Sequence, residues 1–240
     1  MVFVLTVDQI DSRHHPDRIP ELDGAPWADL ARLPFARTAG DEAQAVFDEA
    51  RDALRCAVEL ALTGRWHCGI GQGPARLPAG QPDSRAGRGP AFLRARTAVE
   101  QAKADPSHLG FQGGPADADP AGPSSAEPDP DAPRPGAPDL AAAVQAQLRL
   151  ILRVRARQRE TTRQAYDLAL TGLTQAEAAA RLGITQQAVS ERLDTALYRP
   201  LEEVMGHAVA LAAALEAREG SEARASNPRT SGTPTDGSRP

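Results

Sequence analysis

Two rhythms of apolar residues run along this chain. Up to about residue 103 the pattern mixes short apolar runs with longer periodic segments. Phe3 to Val7 is an almost unbroken apolar run, the pattern of a central strand covered on both faces. Phe35 to Thr38 and Ala43 to Phe47 flank Ala39-Gly40-Asp41-Glu42, which predicts a hairpin with a glycine-aspartate turn. Asp48 to Leu62 reads as a helix. Trp66 to Gly73 reads as a strand in which Gly69, Gly71 and Gly73 alternate with larger residues, so something should approach its backbone closely. A helix then starts at Gly89 or Pro90 and runs over Ala91 to Lys103, burying Phe92, Ala95, Val99 and Ala102.

After Pro138 the period is that of helices throughout. Asp139 is placed to cap a first helix carrying Leu140, Val144, Leu148 and Ile151 on one face. A second helix is expected at about 161–171, with Ala165, Leu168 and Leu170 inward and Gly172 as a left-handed cap. Pro200 opens a last helix in which Leu201, Val204, Ala208, Leu211 and Leu215 form one stripe, suited to cover the preceding helices or to pair with a second subunit.

Between these halves, residues 104–138 hold nine prolines among Gly, Ser, Asp and Ala, with little to bury, and read as a disordered linker. Residues 219–240 have the same character. The expected layout is an α/β domain over 1–103, the linker over 104–138, an all-α domain over 139–218 and a disordered tail over 219–240. The flanking modules should be tethered without a fixed orientation.

The 240 residues are 41% hydrophobic and only 4% aromatic, enough for cores built from Leu, Val and Ala. The formal charge of −5 falls in the linker, where Asp105, Asp117, Asp119, Glu127, Asp129 and Asp131 face Arg134 alone. The rest is near neutral, so acidity of the whole does not exclude an anionic partner. Five arginines (Arg149, Arg153, Arg155, Arg157, Arg159) crowd the end of the first C-terminal helix, as a phosphate-contacting stripe or a solvated face. Cys56 and Cys68 lack the spacing of a zinc site or a disulfide framework and read as small buried residues in a reducing cytoplasm. No run is long enough to span a membrane, and Val2 to Val7 is too short for a signal core.

The strongest motif is Thr174 to Leu193. Thr174 and Glu177 form a Thr-x-x-Glu capping box, Gly183 supplies a tight turn, and Ala179 is small where two helices cross. Leu182, Ile184, Val189 and Leu193 are spaced to share one core. Thr185 caps the second helix, leaving Gln186, Gln187, Ser190, Glu191 and Arg192 outside. This is a helix-turn-helix pattern, and double-stranded DNA is the partner it predicts. Glutamine pairs in a bidentate way with adenine, so Gln186 and Gln187 are the candidate base readers, with Thr174, Thr185, Ser190, Glu191 and Arg192 as flanking contacts.

A second candidate site lies in the first half. Strand one ends in Asp8-Gln9-Ile10-Asp11, and the hairpin tip carries Asp41 and Glu42. Asp8 and Asp41 are hard oxygen donors that would suit Mg2+ for phosphoryl transfer, with Asp8, Asp41 and Glu42 as catalytic candidates; beyond Mg2+ no cofactor is expected. This arrangement resembles the palm domain of nucleotide and diguanylate cyclases, although Ala39-Gly40-Asp41-Glu42-Ala43 departs from their Gly-Gly-Asp/Glu-Glu-Phe hairpin. Adjacent His14 and His15 diverge and read as loop.

Thr6 to Arg13, Arg37 to Glu42, Gly69-Ile70-Gly71, Arg85 to Lys103 and the helix-turn-helix together resemble SatD-like proteins of high-GC bacteria. The resemblance implies an N-terminal SatD domain joined to a helix-turn-helix of sigma-factor region 4 or MarR-like type. It also implies signature positions at Asp8, Asp11, Arg37, Gly40, Asp41, Glu42 and Arg88. The fold class expected is α+β, with an N-terminal palm-like (ferredoxin-like, cyclase-like) domain and a C-terminal helical domain. The function expected is a cytoplasmic transcriptional regulator whose first domain senses a ligand, such as a nucleotide, or mediates homodimer formation. The alternatives are a magnesium-dependent nucleotidyl transferase with an appended DNA module and a sigma-like partner of RNA polymerase.

Overall fold

The computed structural model describes residues 1–23, 28–77, 83–114 and 137–225. Most of the expected linker and the end of the expected tail lie outside the described residues. Five strands and seven α-helices follow in the order β1 (Val2–Gln9), β2 (Leu33–Ala39), β3 (Glu42–Phe47), α1 (Ala50–Leu62), β4 (Trp66–Gly73), α2 (Pro90–Ala104), β5 (Leu109–Gln112), α3 (Ala137–Arg155), α4 (Glu160–Leu170), α5 (Gln175–Leu182), α6 (Gln186–Thr195) and α7 (Tyr198–Ala225). The molecule is mixed α and β, as the two rhythms predict.

The strands form one sheet in the order β2-β3-β1-β4-β5. β1 is central and antiparallel to both β3 and β4, β2 is antiparallel to β3, and β5 is parallel to β4. Burial along β1 explains its central place: every residue from Val2 to Val7 is buried. Period-two alternation sends Phe3, Leu5 and Val7 to one face, where they join Leu54, Ala57 and Val58 of α1. Val2 and Val4 face the other way, against Ala91 and Ala95 of α2. The chain steps from β3 over β1 to β4, then on to β5, in the same sense along strands of the same direction. With α1 and α2 on opposite faces, the two crossovers have opposite hand, so one is of the rare left-handed kind.

The expected close approach at the β4 glycines is made by α2. A Cβ at Gly69 would collide with the backbone of Val99 and Ala95, and one at Gly71 with the backbone of Ala91 and Ala95. Gly110 on β5 meets Ala98 of the same helix in the same way. Helix and sheet are in backbone contact here, which only glycine permits.

Three expectations need correction. The stretch 104–138 contains β5, an ordered parallel edge strand with Leu109, Gly110 and Phe111 buried. α3 begins at Ala137, so Asp139 lies in its first turn instead of capping it. The stripe on α7 covers the sheet. Leu140, Val144, Leu148, Ile151 and Leu152 of α3 and Leu201, Met205, Ala208, Ala212 and Leu215 of α7 share a single core with Phe3, Leu5, Val7, Leu109 and Phe111. Each large apolar side chain fully buried there contributes about 1.5–3 kcal/mol relative to exposure. Residue 103 therefore divides the sequence but not the core, and the two halves are packed together in a defined orientation. Of the expected tail, the backbone to Ala225 is helical.

Polar bonds fix that packing. Gln72 Nε2 donates to the Ala212 carbonyl at 2.6 Å and Gln145 Nε2 to the Leu109 carbonyl at 2.8 Å. Arg55 of α1 forks onto Glu202 of α7, with donor-acceptor distances of 2.8 and 2.5 Å. Among the described residues no helix is long and apolar enough to cross a membrane.

Candidate functional site

The helix-turn-helix forms through the local chemistry its sequence encodes. Glu177 N–H donates to Thr174 Oγ1 at 3.3 Å, and Thr174 N–H donates to Glu177 Oε2 at 2.8 Å, closing the capping box at the start of α5. The Thr174 hydroxyl also bonds Glu177, and together these bonds hold the exposed Glu177 carboxyl below its ordinary range. Gly183 ends α5 at φ +65°, the left-handed conformation the turn requires. Thr185 then caps α6 by accepting from Ala188 N–H at 3.1 Å. Ala178, Ala179, Val189 and Leu193 are buried with Ala165 of α4, while Leu182 and Ile184 pack at the margin.

Thr174, Thr185, Gln186, Gln187 and Glu191 are exposed, so the first turn of α6 faces solvent. Gln187 Nε2 donates along the helix to Glu191 Oε1 at 3.2 Å, which orients the amide. The other two candidates sit differently. Ser190 is half-buried and lines a cleft of about 790 Å³ between the start of α5 and the corner joining α6 to α7. Arg192 is half-buried, with Nη1 3.5 Å from the Thr161 carbonyl. Both flank the exposed turn.

The arginine stripe is corrected at its centre. Arg155 is buried, ion-paired to Glu59 and, at 2.6 Å, to Asp167, with its guanidinium over the Tyr166 ring. Arg149 pairs with Asp105. Arg153, Arg157 and Arg159 remain exposed, the latter two at the junction leading into α4.

In the sheet half, the β1–β3 register sets Asp8 across from Glu42, and Gln9 N–H donates to the Asp41 carbonyl at 3.2 Å. The topology thus brings Asp8 to the hairpin tip. Each carboxylate is already engaged: Asp8 with Lys103 at 3.2 Å, Asp41 with the Ser12 hydroxyl, and Glu42 with the Thr38 hydroxyl. Burial raises the Asp8 carboxyl above its ordinary value, the negative charge of Asp41 adds to the rise, and Lys103 opposes it. Among the described residues no three His, Cys, Asp or Glu side chains are grouped to hold a metal. Beside the tip is a cleft of about 490 Å³ lined by Gln9, Ser12, Arg13, Asp17, Arg37, Gly40 and Asp41. Arg37 spans it, bonding the Gly40 carbonyl and Asp17. Asp11 turns away to His14, 2.5 Å, and His15, 3.9 Å, while Arg88 makes a backbone bridge to Arg76.

Two groupings carry no local signal in the sequence. One is the set of charged and aromatic groups Arg55, Glu59, Arg155, Tyr166 and Glu202, drawn from four helices. The other is the pair His67 and His108, which meet only because β4 and β5 align Cys68 with Leu109. Cys56 and Cys68 are buried and unbridged, as expected.

Comparison of the chain with family profiles, with curated proteins and with solved structures finds no match.

Proposed function

We propose that this protein is a DNA-binding transcriptional regulator that lays the start of α6 in the major groove. The observation that carries this reading is a doubly capped helix pair whose second helix offers Thr185, Gln186 and Gln187 to solvent above a closed apolar core. Glutamine amides suit adenine edges, the Thr185 hydroxyl suits phosphate, and Arg157, Arg159, Arg181 and Arg199 supply exposed positive charge on neighbouring segments. On this reading the sheet half senses a ligand or joins two subunits, in keeping with the SatD-like resemblance, and the protein works in the cytoplasm. Gel-shift titration of the full chain against genomic fragments tests it. Gln186→Ala with Gln187→Ala should abolish selectivity while the fold persists, and unchanged selectivity would overturn the reading.

A second reading is favoured by one observation, the meeting of Asp8 with the β2–β3 hairpin tip beside strands alternating in the order β2-β3-β1-β4. This strand order resembles that of a palm domain, and the resemblance supports a magnesium-dependent nucleotidyl transferase. Here Asp8 and Asp41 would hold the ion. Incubation with Mg2+ and each nucleoside triphosphate, beside Asp8→Asn and Asp41→Asn, tests it: turnover lost in both variants supports it, and no turnover refutes it.

A further inference from the structure

His67 Nδ1 and His108 Nδ1 lie 3.3 Å apart, their rings edge to face with centroids 5.0 Å apart. Two nitrogens each about 2.0–2.1 Å from a tetrahedral ion are themselves about 3.3–3.4 Å apart. We propose that His67 and His108 form a two-histidine binding site for a borderline divalent transition ion of the Zn2+, Co2+ or Ni2+ class.

The surroundings suit that chemistry. Both rings are part-exposed, so an ion can reach them. The His67 ring also bonds the backbone of Ala102. A neutral imidazole has a single N–H, so each ring keeps one nitrogen lone pair with which to hold an ion. This outer bond is the arrangement that fixes the tautomer of metal-binding histidines.

His67 stands across from Asp8 in the β1–β4 register, and the Asp8 carboxylate acts on the ring through its charge. The Lys103 ammonium, 3.2 Å from Asp8, holds that carboxylate. Water completes the shell around the two imidazoles. Paired imidazoles select against Mg2+ and Ca2+, which take oxygen donors. Asp11, His14 and His15 lie near one another on the surface but are not grouped to hold an ion.

The binding claim stands apart from the DNA reading; only a metal-dependent change in DNA affinity would rest on both. Full-length protein should take up one Co2+ with visible absorption bands, displaced by Zn2+ and untouched by Mg2+. His67→Gln and His108→Gln should each weaken binding roughly tenfold or more, while His14→Gln leaves it unchanged. On the wild-type chain, Zn2+ should protect His67 and His108 from diethyl pyrocarbonate, read by mass spectrometry, which keeps the test valid if a variant misfolds. Absence of Co2+ bands, binding that survives loss of both histidines, or failure of Zn2+ to protect them would each overturn the proposal. DNA binding without metal binding would sink this inference and leave the proposed function standing.

Discussion

The guanidinium carbon of Arg155 sits 4.2 Å from the centroid of the Tyr166 ring, and the same guanidinium pairs with Glu59 of α1 and Asp167 of α4. Tyr166 in turn donates to Glu202 at 3.1 Å, and Glu202 receives Arg55. One arginine thus joins the sheet's covering helix to the helix that supports the helix-turn-helix. Truncating it leaves the largely covered Glu59 carboxylate without its ion-pair partner. Arg155→Ala should lower stability by about 3–5 kcal/mol, measured by urea unfolding, because an uncompensated buried charge is costly. A loss below about 1 kcal/mol would show that the pair is solvated.

The two glutamates of this cluster should respond to acid in opposite ways. Burial raises the Glu59 carboxyl, and Arg155 offsets this only in part. Its contribution is therefore present below the ordinary glutamate value of about 4.3 and is lost as pH rises through the higher folded value. Burial also pushes Glu202 upward, but hydrogen bonds and charge from Arg55, with Tyr166, outweigh it and leave the carboxyl lowered. Its contribution is present above about 4.3 and is lost as pH falls through the lower folded value. Unfolding free energies followed from about pH 7 to about pH 3 should accordingly change slope in opposite senses for Glu59→Gln and Glu202→Gln.

Glycines in the sheet and in the turn should differ sharply in tolerance. Gly71→Ala drives a methyl into the backbone of α2, and overpacking of this kind costs typically 1–3 kcal/mol, more where backbone must move. Gly40 has φ +53° with open space around its missing Cβ, so Gly40→Ala meets only conformational strain, about 1 kcal/mol. Thermal unfolding of the two variants side by side gives the ranking.

The capping box makes a smaller, local prediction. Thr174→Ala removes the acceptor for Glu177 N–H and should cost about 1 kcal/mol. Hydrogen exchange should speed up in α5 ahead of the sheet. Equal acceleration everywhere would mean that the cap reports on global stability instead.

What the sequence disclosed was local. The capping box, Gly183, the strand over Phe3 to Val7 and the glycine rhythm of β4 each announce themselves within a few residues, and all stand where expected. β5 was concealed because four residues between Pro106 and Gly113 carry too little pattern to stand out from a proline-rich stretch. Along the sequence Arg155 is one cation among five, because the carboxylates it pairs with come from α1 and α4. The same holds for His67 and His108, 41 positions apart. Asp8 and Asp41 were placed near one another by strand order alone, whereas Lys103 and Ser12, which occupy them, came from segments no periodicity connects to the hairpin.

The core shared by β1, α1, α3 and α7 also governs when this molecule can fold. A ribosome releases the strands before the helices that roof one side of the sheet. Until then Phe3, Leu5 and Phe111 lack their final cover, and the sheet face is open to mispairing or to capture by a chaperone. The sheet is therefore sealed only once α7 has emerged, and α6, which leads directly into α7, is brought to its place by the same docking.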